Sequence, residues 1–334
     1  MNSITLSHGN GGKRTHELVK RMFNNYLDNE MILEHKDSGI VDKVDGKIAV
    51  STDSYVINPL FFPGGDIGKL SIYGTVNDLA VSGAIPLYIT VGFIIEEGLE
   101  INELERVVES MAKTARQCNV KIITGDTKVV EKGKGDKLYI NTTGIGIVEN
   151  NLNLTGETIN EGDKIIVNGT LGDHGITILS ERKKLNFKTK TKSDCNELYP
   201  LIKDILSVTK KVKFMRDITR GGLATILNEI IKDRKLGVVL KERAIPVSND
   251  VSVACEILGL NPLYIANGGK VVVIVSKEEA HHVLRVMRNN PLGRNASIIG
   301  EVIKDNIEKV YLNTKNHETI TLDMLENELI SRIC

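Results

Sequence analysis

Apolar positions recur along the chain with two periods, and their alternation lays out the elements. Short β-prone apolar runs at 48–52, 87–95, 120–124 and 138–148 predict strands. The last of these carries Gly144 and Gly146. Between them, the spacing of Leu104, Val107, Val108 and Met111 predicts a helix over 101–117. The block at 51–86, STDSYVINPLFFPGGDIGKLSIYGTVNDLAVSGAIP, organises the rest. Pro63-Gly64-Gly65 marks a turn, Asp66 can cap a helix running to about Ser82, and Gly83 stops it. Val44-Asp45-Gly46-Lys47 reads as a hairpin turn leading into the first strand. Ahead of it, a helical stretch reaches about Leu27.

The second half repeats the alternation. Strands are expected at 164–168, 238–241, 271–275, 297–302 and 309–312, and helices at 223–232, 248–258 and 278–288. The polar, Asn-rich stretch at 149–162 is the candidate linker. The basic loop at 186–196 is expected to be solvated surface. The expected division is therefore 1–150 and 151–322, followed by a terminal stretch at 323–334 that the family resemblance given below implies to be a mobile tail. A chain of 334 residues is long enough for two domains with sizeable cores.

Composition narrows the function. Formal net charge is zero and the basic residues are not massed, which argues against nucleic acid as a partner. No apolar run approaches membrane-spanning length, and residues 1–12 lack the apolar core of a secretory signal. Cys118, Cys195, Cys255 and Cys334 lie far apart, with no metal-type pair and no disulfide framework, so a cytoplasmic setting is expected. Cys334 is the last residue of the sequence.

The chemistry gathers around acids. Asp53 follows a strand, Asp78 lies inside an otherwise apolar helix beside Asn77, and Asp126 follows another strand in Gly125-Asp126-Thr127-Lys128. Asp37 precedes a short apolar run, and Asp217 precedes the glycine-rich start of a helix in MRDITRGG. Capping and a buried hydrogen bond would account for Asp78 alone. Together, Asp37, Asp53, Asp78 and Asp126 can hold Mg²⁺ on a nucleotide, and Lys128 can sit on its phosphates. SHGNGGK at 7–13 opens a helix and can cradle an anion with its free N–H groups, or be no more than a flexible start. Two better-known nucleotide motifs are absent. A P-loop at 63–69 fails at Pro63 and Leu70, and a dinucleotide fingerprint at Gly144-Ile145-Gly146 lacks its third glycine.

Thr52-Asp53-Ser54, NDLAVSGA at 77–84, GDT at 125–127 and RDITRGG at 216–222 together resemble the aminoimidazole-ribotide-synthetase-like (PurM-like) superfamily. SHGNGGK, PLFFPGGDIGKL at 59–70, GDTKVV at 125–130 and the ending Arg332-Ile333-Cys334 are similar to its hydrogenase-maturation branch, the HypE family, over essentially the whole chain. The resemblance implies a two-domain α/β (α+β) fold. Its N-terminal domain carries a mixed sheet, binds ATP and dimerises; its C-terminal domain is an α+β sandwich. It implies ATP with Mg²⁺, held by Gly9, Asn10, Gly11, Gly12, Lys13, Thr52, Asp53, Asn77, Asp126, Thr127, Asp217, Gly221 and Gly222, with Asp37, Asp53, Asp78 and Asp126 on the metal. It implies Cys334, Lys128 and Asp78 as catalytic residues. The partner HypF would carbamoylate the Cys334 thiol, ATP would drive dehydration of the thiocarboxamide to a thiocyanate, and the cyanide would pass to iron held by HypC and HypD.

Three departures from the family pattern stand out. Gly268 occupies the place of an expected Glu, Ser331 replaces a proline and predicts a looser tail, and Ile218 stands where a proline is common. Gly268 leaves room for a non-catalytic carrier that only presents Cys334. A superfamily phosphotransferase such as selenophosphate synthetase is a further alternative, weakened because no cysteine precedes Cys118. An ATP-binding regulatory module would leave the terminal thiol unexplained.

Overall fold

Two separate sheets carry the chain. The computed structural model describes residues 3–27, 38–149, 152–183, 190–304, 308–326 and 330–334. The first sheet is built from β1 (Lys47–Tyr55), β4 (Ala84–Glu96), β5 (Lys121–Val130) and β6 (Leu138–Val148), in the order β1-β6-β4-β5. A two-residue pair, β2 (Phe61–Phe62) and β3 (Gly65–Asp66), lies outside it. Only β4 and β5 run parallel, so the sheet is mixed, as expected. Side chains alternate across it, as the pleat requires. Ile89, Val91, Phe93 and Ile95 of β4 and Leu138 and Ile140 of β6 point into the core, whereas Ile48, Val50, Ile85 and Ile94 are exposed on the other face.

Helices cover the inner face. Asp66 caps the helix Ile67–Val81 by accepting the Lys69 N–H at 3.0 Å, as the sequence predicts. Almost every side of this helix is buried. One side lies on the first sheet, and Ala80 and Val81 pack with Leu198, Ile202 and Met215 of the second domain. A helix enclosed on both sides needs no polar face, which explains its uniform apolarity. The helix Ile101–Gln117 buries one stripe only, Leu104, Val107, Val108 and Met111 included. The N-terminal helical stretch is Lys13–Leu18, a π-helical turn at Val19–Asn24, and Asn25–Leu27.

The second sheet comprises β7 (Lys164–Val167), β8 (Val212–Asp217), β9 (Gly237–Lys241), β10 (Val271–Val275), β11 (Ser297–Ile303), β12 (Val310–Asn313) and β13 (Thr319–Thr321), in the order β13-β12-β9-β11-β7-β10-β8. Helices Asp173–Lys183, Tyr199–Val208, Gly222–Ile231, Asn249–Leu258 and Ala280–Asn289 accompany it. Ala280, Val283 and Met287 cover one side of β10, and Leu223, Ile226 and Leu227 the other. Every residue of β10 is therefore buried, which accounts for its unbroken apolar run.

Three local readings change. The strand at 48–52 extends to Tyr55, and that at 120–124 extends through Val130, so Asp53 and Asp126 lie within strands and not beyond their ends. Residues 44–47 make no hairpin, because β1 pairs with β6. The helix Tyr199–Val208 and the edge strand β13 were not legible in the sequence. No helix among the described residues is long and apolar enough to cross a membrane.

Candidate active site

Three acids meet where the domains adjoin. Asp53 is on the inner face of β1, Asp78 on the buried helix, and Asp217 ends β8 in the other domain. Ser51 Oγ donates to Asp78 Oδ2 at 2.6 Å. Burial, then the charges of Asp217 and Asp53, push the Asp78 carboxyl up to about 8. Burial and Asp53 push Asp217 up to about 6, against the opposing effect of Arg216. A cavity of about 360 Å³ opens here, lined by Ser51, Asp78, Ser82, Arg216 and Asp217 among others. Gly221 and Gly222, both in the left-handed region at φ 77° and 65°, turn the chain after Asp217. A side chain at Gly222 would meet the Leu263 carbonyl at 2.4 Å.

The four-acid metal set expected from the sequence does not assemble within one chain. Asp53 pairs across Thr142 and Val91 with Gly125, three strands away, or about 14 Å at ordinary strand spacing. Asp126, one residue on, therefore points to the opposite face of the sheet. There it is joined by Lys128, whose Nζ holds both Asp126 oxygens at 2.6 and 2.7 Å. That contact keeps the Asp126 carboxyl below its usual range. Asp37 lies outside the described residues. Among the described residues no three His, Cys, Asp or Glu side chains converge as metal ligands. Asp53, Asp78 and Asp217 nonetheless supply hard oxygen donors, and burial and crowding raise the Asp78 and Asp217 carboxyls, whose protons a divalent cation would displace, so Mg²⁺ fits this donor set.

The glycine loop lies against β5, the strand that carries Asp126. A Cβ at Gly9 would lie 2.7 Å from the Val129 nitrogen, so the loop rests on β5. Asn10 Oδ1 accepts from the Gly12 N–H at 3.0 Å, and Gly11 sits at φ 79° ahead of Lys13. Beside it, Thr15, Phe23, Phe93, Gly125, Asp126 and Thr127 line a cavity of about 200 Å³. Thr52 stands on the open face, with its hydroxyl donating to the Thr142 carbonyl at 3.1 Å. Asn77 faces the second domain. It is buried, its amide donates to the Asn196 carbonyl at 3.0 Å, and its carbonyl oxygen accepts from the Leu198 N–H at 2.7 Å. Both ends stitch the domains together, and one amide hydrogen is left over.

The tail is seated where mobility and looseness were expected. Ile333 is buried, and a main-chain oxygen of Cys334 accepts from the Val56 N–H at 2.9 Å, directly after β1. Arg332 pairs with Asp136 and donates from Nε to the Val56 carbonyl at 2.9 Å. Tyr55, the last residue of β1, is buried with its hydroxyl 3.3 Å from Thr75 Oγ1. Burial first, then Asp53, Asp78 and Cys334, push its phenol well up, so tail and acids share one neighbourhood.

Beneath the tail, the loop expected to be solvated contains the buried Asp194. Its carboxylate accepts from the Gly268 and Gly269 N–H groups at 3.0 and 3.2 Å and from Lys270 Nζ at 2.9 Å. At Gly268 a Cβ would stand 3.0 Å from the Cys195 Cα, so this chain offers no side chain there. Ile218 is buried where the family commonly has proline. His174, Arg182, Asp136 and Asp194, each of which touches the tail or supports its seat, carry no site signal in the sequence.

A mixed sheet backed by a buried acid-bearing helix, joined to a second sheet at an aspartate cluster, defines the class of AIR synthase related proteins. The N-terminal-domain description of that family matches residues 35–148 and its C-terminal-domain description matches residues 160–313. Within this class the chain belongs to the HypE family of carbamoyl dehydratases. It is 45% identical to carbamoyl dehydratase HypE of Azotobacter vinelandii, across 99% of this chain and 97% of that relative. The crystal structure of hydrogenase maturation protein HypE in complex with ATP matches with a TM-score of 0.94 at 43% identity, covering 98% of this chain and 99% of that one. The HypE–HypF complex matches with a TM-score of 0.81 at 42% identity, covering 92% and 99%.

Proposed function

We propose that this protein dehydrates its own S-carbamoylated Cys334 to a thiocyanate at the expense of ATP, supplying cyanide for hydrogenase maturation. The observation that carries the reading is the seat itself: the terminal cysteine is held next to β1, the strand that brings Asp53 to the acid cluster. HypF, the partner in a similar solved complex, would load the thiol, and HypC with HypD would accept the product. The setting is cytoplasmic. The working units are 1–150, 151–322 and the tail 323–334, which leaves its seat for loading.

The chemistry is a balanced dehydration. The carboxamide oxygen attacks the γ-phosphorus, ADP leaves, the nitrogen gives up two protons, and the oxygen departs on phosphate as the C≡N bond forms. Mg²⁺ would be held by Asp53, Asp78 and Asp217, and supplies neutralisation of phosphate charge. Lys128, Asp126, Thr127, Thr52 and the loop at Gly9–Lys13 would bind the nucleotide. Asp126, Lys128 and Thr52 stand on the sheet face that also exposes Ile48 and Val50, so a homodimer through that face would let one protomer complete the other's site.

Intact-mass measurement after incubation with HypF, carbamoyl phosphate and Mg·ATP tests the reading. A carbamoyl adduct on Cys334 that then loses one water supports it. An adduct that never loses water refutes dehydration and makes the protein a carrier, the alternative that Gly268 favours.

A further inference from the structure

The main-chain oxygens of four successive tail residues are each taken by a donor from the body of the protein. Arg182 donates to those of Ser331 and Arg332, and also to that of Asn58. His174 Nε2 lies 2.8 Å from that of Ile333, and the Val56 N–H reaches that of Cys334. His174 and Arg182 belong to one helix, Asp173–Lys183. The seat thus grips backbone, which suits a tail whose last side chain changes chemically at every turnover.

The state of His174 follows from its other neighbour. Ser193 Oγ accepts from the Cys195 N–H at 3.1 Å, so its own hydrogen is available to His174 Nδ1 at 2.7 Å. Nδ1 is then an acceptor, and the ring hydrogen sits on Nε2, aimed at the Ile333 carbonyl. The ring is buried, with the edge of Phe62 against it at 5.6 Å between centroids. Burial holds its pKa down and keeps it neutral.

We propose that His174 is a positioning residue for dehydration: its Nε2–H fixes the penultimate carbonyl, so that the modified thiol is presented beside the acid cluster. This rests on the function proposed above. Loading by the partner requires the tail to leave, so the same bond opposes loading while it favours dehydration. A residue that merely supports the fold would affect both steps in the same direction.

Two substitutions separate the contacts of the ring. In His174→Gln the side-chain amide reaches the position of Nε2 and can still donate to Ile333. In His174→Asn it reaches only Nδ1, keeping Ser193 and losing the tail. We expect H174N to lose water from the carbamoylated tail about tenfold more slowly than wild type, while HypF loads it at least as fast; H174Q stays within about threefold. Equal slowing in the two variants, or loading that falls in step with dehydration, overturns the proposal.

A second readout needs no turnover. Maleimide labelling of Cys334, followed by peptide mapping, should be about five- to tenfold faster in H174N and unchanged in H174Q. If the wild-type adduct never loses water, the dehydratase reading fails, and labelling still decides the role of His174. An H174N rate equal to wild type overturns it. Should H174N not fold, Ser193→Ala, which removes the hydroxyl that fixes the tautomer, is expected to speed labelling about two- to threefold; no change overturns the proposal.

Discussion

Replacing Lys270 by Met leaves a buried carboxylate without its cation. The Asp194 and Lys270 side chains are only 7% and 11% exposed, and their contact is 2.9 Å. Burial would push the Asp194 carboxyl up, but Lys270 and the backbone N–H donors outweigh it and hold the carboxyl below its usual range. Removing one member of such a pair costs about 3–5 kcal/mol. Two backbone N–H bonds to Asp194 survive, which places this case near the lower end, at about 3 kcal/mol. For a domain of this size that corresponds to a fall in Tm of roughly 6–12 °C. The sign with pH is specific. In wild type a depressed carboxyl contributes stability above about pH 4, lost as pH falls through its folded value. In the variant, burial dominates and the carboxyl is raised, so the deficit grows as pH rises from about 4. Calorimetric melts at pH 5 and pH 8 should show the larger deficit at pH 8, and adding Asp194→Asn should recover part of it. A variant that melts within about 2 °C of wild type at pH 8, or shows equal deficits at both pH values, would refute this account of the pair.

The acid cluster titrates in the opposite sense. Asp78 and Asp217 are raised to about 8 and about 6, so the folded state retains protons that the unfolded chain has lost. With EDTA present, stability should fall as pH climbs from about 4 to about 8, and Asp78→Asn should flatten that slope; a parallel slope in the variant counts against the crowding. Mg²⁺ should raise Tm more at pH 8 than at pH 5, and equal shifts would argue against these ligands. Val50→Glu places a charge on the open face of β1, and light scattering should show a monomer; an intact dimer would move the interface elsewhere. Asn77→Ala removes two buried interdomain hydrogen bonds and should cost about 1–3 kcal/mol in urea unfolding, with nucleotide affinity unchanged. A selective loss of nucleotide binding would return Asn77 to the site.

Much of the fold was legible because it rests on local rules. Asp66 caps, Gly83 stops, and the stripe from Leu104 to Met111 repeats at helical spacing. Asp53, Asp78 and Asp217 were legible as unusual acids, but not as one group, because Asp217 comes from another sheet. Asp126 was read as their companion, and only strand register separates it: one residue beyond Gly125 changes the face. Asn77 carried a polar signal that the sequence could not divide between ligand and domain contact. His174 gave none, since its role depends on Ser193 and on a carbonyl 159 residues away.

In the homodimer proposed above, the two faces of the first sheet would divide the site between molecules. Asp78 lies on the inner face of its own protomer, whereas Asp126 and Lys128 stand on the open face that the proposal offers to a partner. A protein lacking Asp78 and one lacking Asp126 would each be inactive alone. Paired in one dimer, they place both lesions in one site and leave the other intact. Random subunit mixing then restores about a quarter of wild-type turnover, half the molecules being mixed and half their sites whole. Complementation of this kind turns strand register into a measurable yield, and its absence would mean that each protomer works alone.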